Sequence, residues 1–256
     1  MKFAIFKKED KDLSGVEKTL LKQCELQQLQ YDSANPDIVF VLGGDGTFLK
    51  ATHAYLDKLD NVKFAGIRCG TLGFFYDFDV EDIPELVESI KVNRYLLESH
   101  QLLECQLNNK VIYAVNEIRF ENPFHTLVCE VEINGEHLEK FHGNGLLVCS
   151  ELGSTAYNKS LGGAVISHKV GVLQLTEIST IQNNLYRSLG SSFILPSTTE
   201  FAFNGDFNNV VIGYDHLTCD CNNAKTIRIK NSNKMINIIY SNEHSSLSAI
   251  KRSFIK

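Results

Sequence analysis

Apolar and polar positions follow two different rhythms along this chain. In the first, short apolar runs alternate with stripes of period 3.6. Phe3-Ala4-Ile5-Phe6 reads as a strand. Ser14 is a plausible N-cap for a helix in which Val16, Leu20 and Cys24 recur every four residues beside Leu13 and Leu21. Asp37 is followed by the unbroken run Ile38-Val39-Phe40-Val41-Leu42, as in a parallel strand covered on both faces. Residues 47–59 read as helix, 62–67 as strand and 83–90 as helix. Strands alternating with helices of this length predict βαβ units and a parallel sheet.

The second rhythm starts near Arg94. Residues 95–107, 111–120, 127–133, 138–142 and 146–149 read as strands separated by short polar turns. Asn108-Asn109 and Asn134-Gly135 are hairpin signals. Further short strands are predicted around 193–195, 201–203, 210–212, 227–229 and 235–239. In the tail, Leu247, Ile250 and Phe254 lie at helical spacing. The fold class is therefore α/β plus all-β. A Rossmann-like parallel-sheet domain (1–94) precedes a β-rich, sandwich-like antiparallel domain (95–240), and a helical tail (241–256) returns to dock on the first domain.

Composition narrows this picture. At 256 residues the chain makes one large domain or two small ones, and 43% hydrophobic residues supply a core. Lys and Arg total 25 against 31 Asp and Glu, a net charge of −6, so a general nucleic-acid or membrane-surface binder is not expected. There is neither a signal-peptide pattern after Met1 nor an apolar run of about 18 residues. Seven dispersed cysteines read as reduced thiols in a cytoplasmic protein. His216, Cys219 and Cys221 have metal-like spacing, but a strand would place His216 on the opposite face from the two thiols. Buried cysteines are the better reading, and no metal ligands are assigned.

Glycine carries the chemistry. Six of the 17 glycines fall between Gly43 and Gly73 and six more between Gly143 and Gly171. The first cluster opens with Gly43-Gly44-Asp45-Gly46-Thr47, running from a buried strand into a helix. Such a turn lets backbone N–H groups and the helix N-terminus hold phosphate, even in an acidic protein. Position 49 is Leu, so the dinucleotide fingerprint is incomplete, and there is no P-loop Gly-Lys-[Ser/Thr] ending. Asp45 is the anomaly, because a carboxylate inside a phosphate cradle repels the ligand. Either it caps the helix, or it takes a proton from an attacking hydroxyl or holds a divalent cation.

These residues resemble the signature of the NAD kinases, a turn shared with lipid kinases and phosphofructokinases. Gly70-Thr71-Leu72-Gly73-Phe74 is similar to that family's second glycine motif, and Asn116-Glu117 after Tyr113-Ala114-Val115 to its Asn-Glu element. The segment from Gly153 to Ala164, with Thr155-Ala156-Tyr157-Asn158-Lys159-Ser160 at its centre, resembles its longest motif. Leu175-Thr176-Glu177, Tyr186-Arg187, Gly190-Ser191 and Asp215-His216 complete the order. The resemblance implies phosphoryl transfer from ATP or polyphosphate to the adenosine-ribose 2′-hydroxyl of NAD. A divalent cation, magnesium, accompanies the donor, and Asp45 is the general base. Gly43, Gly44, Gly46 and Thr47 are expected to bind the phosphate donor.

For NAD, Asn116 offers a paired donor and acceptor to an adenine edge, and Glu117 accepts from ribose hydroxyls. Read alone, that pair is more often a turn at the end of a strand. Thr155 and Ala156 permit backbone contact with a base, Tyr157 packs against its ring, and Ser160 follows one turn later. Phe74 is an apolar wall or plain core. The family implies that Tyr186 completes the pocket of a neighbouring subunit, that His216 lies near phosphates, and that the assembly is a homo-oligomer, a dimer or tetramer. Two departures stand out. Asn144 replaces the Asp expected to contact the nicotinamide half, and Ser150-Glu151-Leu152 replaces a Ser-Thr-Pro-type segment. The NAD/NADH preference stays open. The competing readings are a lipid or sugar kinase of the same superfamily and a non-catalytic NAD-binding sensor.

Overall fold

Strand β1 (Lys2–Lys7) leads to α1 (Ser14–Leu26), the two-residue β2 (Gln30–Tyr31), β3 (Ile38–Gly43), α2 (Asp45–Ala54), β4 (Lys63–Arg68) and α3 (Ile83–Lys91). These strands lie in the order β2-β1-β3-β4, all parallel. All six residues of β3 are buried, as its unbroken apolar run requires. Leu20 and Cys24 of α1 and Ile83, Leu86, Val87 and Ile90 of α3 share one core with Phe40 and Ile67.

Two details of these helices differ from the sequence reading. Ser14 is the first helical residue rather than the N-cap, and its N–H is taken by the Asp12 carboxylate at 3.0 Å. An ionised acceptor two residues upstream serves the same orphan donor. Helix α2 stops at Ala54, and a separate 3₁₀ turn covers Leu56–Lys58.

This computed structural model describes residues 1–70 and 73–255. It divides into two units, Met1–His100 with the C-terminal segment from Lys234, and Gln101–Asn233. The chain continues through β5 (Leu96–Leu107), β6 (Lys110–Ala114), β7 (Glu117–Glu121), β8 (Leu127–Ile133), β9 (Glu136–Gly143) and β10 (Gly145–Cys149). A single helical turn, α4 (Tyr157–Ser160), precedes β11 (Val172–Ile178), β12 (Phe193–Pro196), β13 (Phe201–Gly205), β14 (Val211–Tyr214) and β15 (Leu217–Asp220). The long β16 (Thr226–Tyr240) and α5 (Ser246–Phe254) follow.

In the second unit, one antiparallel sheet has the order β12-β11-β10-β7-β14-β15. The other pairs β9, β8, β13 and the first part of β16, with a β5–β6 hairpin. Phe120, Val148 and Ile212 of one sheet share a core with Phe141, Phe203 and Ile227 of the other, which makes a sandwich. The β8–β9 turn has Asn134 and Gly135 at φ 52° and 82°, the left-handed pair that a two-residue hairpin needs.

In the first unit, the last part of β16 adds parallel to β4, pairing Asn237–Ile239 with Lys63–Ala65. Residues 226–240 are thus one strand and not two, because the polar stretch 230–234 stays extended. Residues 111–120 are conversely two strands, broken at Val115 and Asn116. Both N–H groups there donate to the Asp215 carboxylate, at 2.8 and 2.7 Å. Glu117 therefore opens β7 and does not end a strand. No helix among the described residues is long and apolar enough to cross a membrane. Cys69 and Cys219 are half-buried and the other five thiols are buried.

Candidate active site

In the first unit, chemistry collects where β3 meets α2. Asp45 is the first residue of α2, half-buried, at the end of the helix where its charge is favoured. The Phe74 N–H lies 2.9 and 3.1 Å from its two carboxylate oxygens, and the Phe75 N–H lies 3.2 Å from Oδ1. Burial raises its pKa above the ordinary carboxylate range, while the Phe75 and Phe74 donors pull it back down.

These donors are fixed from behind. The Phe75 ring stacks on Phe48 of α2 at 4.7 Å, and the Tyr76 hydroxyl donates to the Gly44 carbonyl at 2.8 Å. That same carbonyl accepts the N–H groups of Thr47 and Phe48. The N–H groups of Asp45 and Gly46 are the ones without an acceptor inside the helix. A cavity of about 680 Å³ opens over Gly43–Thr47, and Lys7, Lys8, Lys11 and Lys50 are among its lining residues. Thr47 itself is buried, and Gly46 is exposed to open space. The Phe74 ring is half-buried and lies 5.3 Å from Phe254 of α5. Thr71 and Leu72 of the second glycine motif lie outside the described residues.

In the second unit a separate cluster forms around Asn116 and Glu117. Both are buried, at 8% and 4% exposure, and Asn116 Oδ1 and Glu117 Oε2 have no hydrogen-bond partner among the described residues. Buried acceptors left open are costly, which marks a place where a ligand's donors belong. Burial pushes the Glu117 carboxyl up to about 7, and Asp215 and Glu121 push the same way against Arg119.

Gly153 explains how the long motif approaches this pair, since a Cβ there would lie 2.0 Å from the Asn116 carbonyl oxygen. Beneath the motif runs a buried polar network. Ser154 Oγ accepts the Ile166 N–H, the Asn158 amide donates to the Ser154 and Ala164 carbonyls, and Thr176 Oγ1 donates to Asn158 Oδ1 at 2.8 Å. The adjacent Gln174 both accepts from and donates to the Ala164 backbone. Gln174 and Thr176 make β11 look polar in sequence, although both are buried there.

Thr155 and Ala156 are half-buried above this network, while Tyr157 and Ser160 are exposed. Asp215 and His216 form the β14–β15 turn, with His216 exposed and Asp215 at φ 49°. Tyr186 lies in the segment between β11 and β12, with its ring stacked on His142 at 4.1 Å. Both departures have structural work. The Asn144 amide donates to the Asn122 carbonyl at 3.1 Å, a bond that a carboxylate cannot make. The Glu151 carboxylate accepts the N–H groups of Lys169, Val170 and Gly171 at 3.0–3.2 Å. Two features escaped the sequence reading, namely the Phe74 and Phe75 N–H groups on Asp45 and the Arg119 guanidinium beside Glu117.

Comparisons with known proteins bear on the family and the fold. Residues 5–95 match the family model of the ATP-NAD kinase N-terminal domain, and residues 115–241 that of the C-terminal domain. The NAD kinase of Leuconostoc citreum is 32% identical over 241 residues, which is 92% of this chain and 91% of that protein. NAD kinase 1 of Bacillus cereus is 34% identical over 246 residues, 93% of each. The crystal structure of yeast NADH kinase complexed with NADH superposes with a TM-score of 0.85 at 21% identity, covering 98% of this chain and 86% of that one. An NAD kinase from Archaeoglobus fulgidus in complex with ATP gives 0.78 at 20% identity, over 98% and 95%. These two structures speak for the fold, whereas the family models and the closer relatives speak for ancestry: this chain belongs to the ATP-NAD kinase family.

Proposed function

We propose that this protein transfers the terminal phosphoryl group of ATP, or of inorganic polyphosphate, to the adenosine-ribose 2′-hydroxyl of NAD, giving NADP. Asp45 carries the reading, as a half-buried carboxylate of raised pKa at the mouth of a glycine turn and beside a lysine-lined cavity. As general base it takes the 2′-hydroxyl proton while that oxygen bonds to the terminal phosphorus. The bond from phosphorus to the bridging oxygen breaks, and ADP or the shortened polyphosphate leaves. Gly43, Gly44, Gly46 and Thr47 hold the donor through backbone N–H groups and the start of α2. Most of the acceleration in such a transfer comes from positioning and charge stabilisation.

The cavity suits a hard cation, because Glu9 and Asp10 line it with oxygen donors of the kind that magnesium takes beside phosphate oxygens. Held there by Glu9 and Asp10, a magnesium ion would supply charge neutralisation for the transferred group. On the acceptor side, the Asn116 and Glu117 oxygens left open receive the adenine amine and a ribose hydroxyl. Tyr157 packs on the base, with Thr155, Ala156 and Ser160 around it. In the first unit Phe74 offers NAD an apolar ring, and in the second Asn144 serves the nicotinamide end and His216 the phosphates. The protein works in the cytoplasm as a homo-oligomer in which Tyr186 completes a neighbouring copy's pocket.

The test is incubation with magnesium, NAD and either ATP or polyphosphate, with NADP measured by an NADP-specific dehydrogenase. A parallel arm offers NADH, and another a panel of lipid and sugar hydroxyls. NADP formation is expected. NAD binding without product overturns the kinase reading in favour of a sensor, and phosphorylation of another acceptor alone overturns the substrate.

A further inference from the structure

Glu117, Arg119 and Glu121 occupy alternate positions of β7 and share one face, while Ile118 and Phe120 on the other enter the sandwich core. The Arg119 guanidinium reaches both carboxylates, with Nη1 3.4 Å from Glu117 Oε1 and Nε 3.5 Å from Glu121 Oε1. Its Cζ lies 5.1 Å from the centroid of the Tyr157 ring. The neighbouring strand makes room for it. Gly213 stands opposite Arg119 in the β14–β7 register, and a Cβ there would fall 2.7 Å from Cζ. The guanidinium is thus held between a glycine backbone and an aromatic ring, with 24% of the side chain exposed.

We propose that Arg119 is a positioning residue for the dinucleotide: it backs one face of the Tyr157 ring so that the other receives the adenine, and it holds Glu117 as an ionised acceptor for ribose hydroxyls. This rests on the NAD-binding reading above. The planar fork matters, because one guanidinium stacks on a ring and still reaches carboxylates at its edge, which an ammonium cannot do.

The groups facing Glu117 are Arg119 and Glu121 on β7, Asp215 in the β14–β15 turn, Cys149 on β10 and Tyr157 on α4. Arg119 is the cation among them and the one that favours the Glu117 carboxylate. Its loss therefore moves Glu117 ionisation, and with it NAD binding, to higher pH. A purely structural role would weaken binding by the same factor at every pH.

The experiment compares wild type, Arg119→Met and Arg119→Lys by NAD calorimetry from pH 6 to 9, by steady-state kinetics, and by carbon-13 NMR of the ligand-free protein. Tyrosine Cζ and glutamate Cδ are labelled, with Tyr157→Phe and Glu117→Gln used for assignment. For Arg119→Met, NAD affinity at pH 7 is expected to fall about tenfold, KM to follow and kcat to fall less than threefold. The titrations of Glu117 and Tyr157 should both move up. Arg119→Lys should restore the Glu117 midpoint in part, but not the NAD affinity. Unchanged titrations, or an affinity loss of equal factor at every pH, overturn the proposal. Absence of NAD binding in wild type overturns the kinase reading instead, and the ligand-free titrations still report whether Arg119 holds the two side chains.

Discussion

Asp45 and Glu117 are both carboxylates withdrawn from water, and their surroundings differ in kind. Asp45 starts a helix and is held by two backbone N–H groups from Phe74 and Phe75. Glu117 starts a strand and is surrounded by side chains, one cation and two further carboxylates. Backbone donors fix direction without adding a full charge, so Asp45 stays aimed while its proton affinity follows its burial. Side-chain charges set the other balance, and each can be removed by one substitution. The first arrangement suits proton transfer along one line, and the second suits recognition that tolerates tuning.

The sharpest way to break this contrast is Asp45→Asn. The amide keeps an acceptor for the Phe74 and Phe75 N–H groups but has no basic oxygen, so kcat should fall about 10²–10⁴-fold while the Kd for NAD changes little. In wild type, kcat should decline as pH drops through the raised Asp45 pKa, and this limb should vanish in the variant. An undiminished kcat would remove the general-base role.

Next comes Glu117→Gln, which should weaken NAD binding about tenfold in calorimetry. It should also stabilise the protein. Because the folded value of about 7 lies above the usual 4.5, stability from this group is present below pH 4.5 and lost as pH rises through 7. The variant should therefore raise the Tm by several degrees at pH 8 and hardly at all at pH 4. An equal Tm change at both pH values would contradict the burial of charge at Glu117.

The smallest effect is expected from Asp215→Asn. It removes a like charge facing Glu117 and weakens the acceptors for the Val115 and Asn116 N–H groups. The Glu117 midpoint should move down, seen by NMR, at a cost of about 1 kcal/mol in urea unfolding. A midpoint that stays in place would leave burial and Glu121 responsible.

The two hydrophobic rhythms made the fold class legible, because a buried parallel strand such as β3 and a left-handed pair such as Asn134-Gly135 declare themselves locally. The Gly43–Thr47 turn was legible for the same reason. What stayed hidden depends on partners far along the chain. Asp215 breaks the strand at Val115–Asn116, and the buried network lets Gln174 and Thr176 sit inside β11. Arg119 belongs to no motif. Its setting exists only because strand register brings Gly213 opposite and a helical turn lays Tyr157 over it.

Burial has one more outcome, in the reactivity of the thiols. It pushes Cys24, Cys129 and Cys149 up to about 12, so they offer almost no thiolate to an electrophile at neutral pH. Cys69 is only half-buried and lines the cavity over Gly43–Thr47, with its N–H on the Gly43 carbonyl; burial raises its thiol pKa and Lys11 draws it only part of the way back. The cavity thus carries its own chemical footprinting handle. Alkylation of Cys69, followed by mass spectrometry, reads occupancy of the cavity directly, without any turnover.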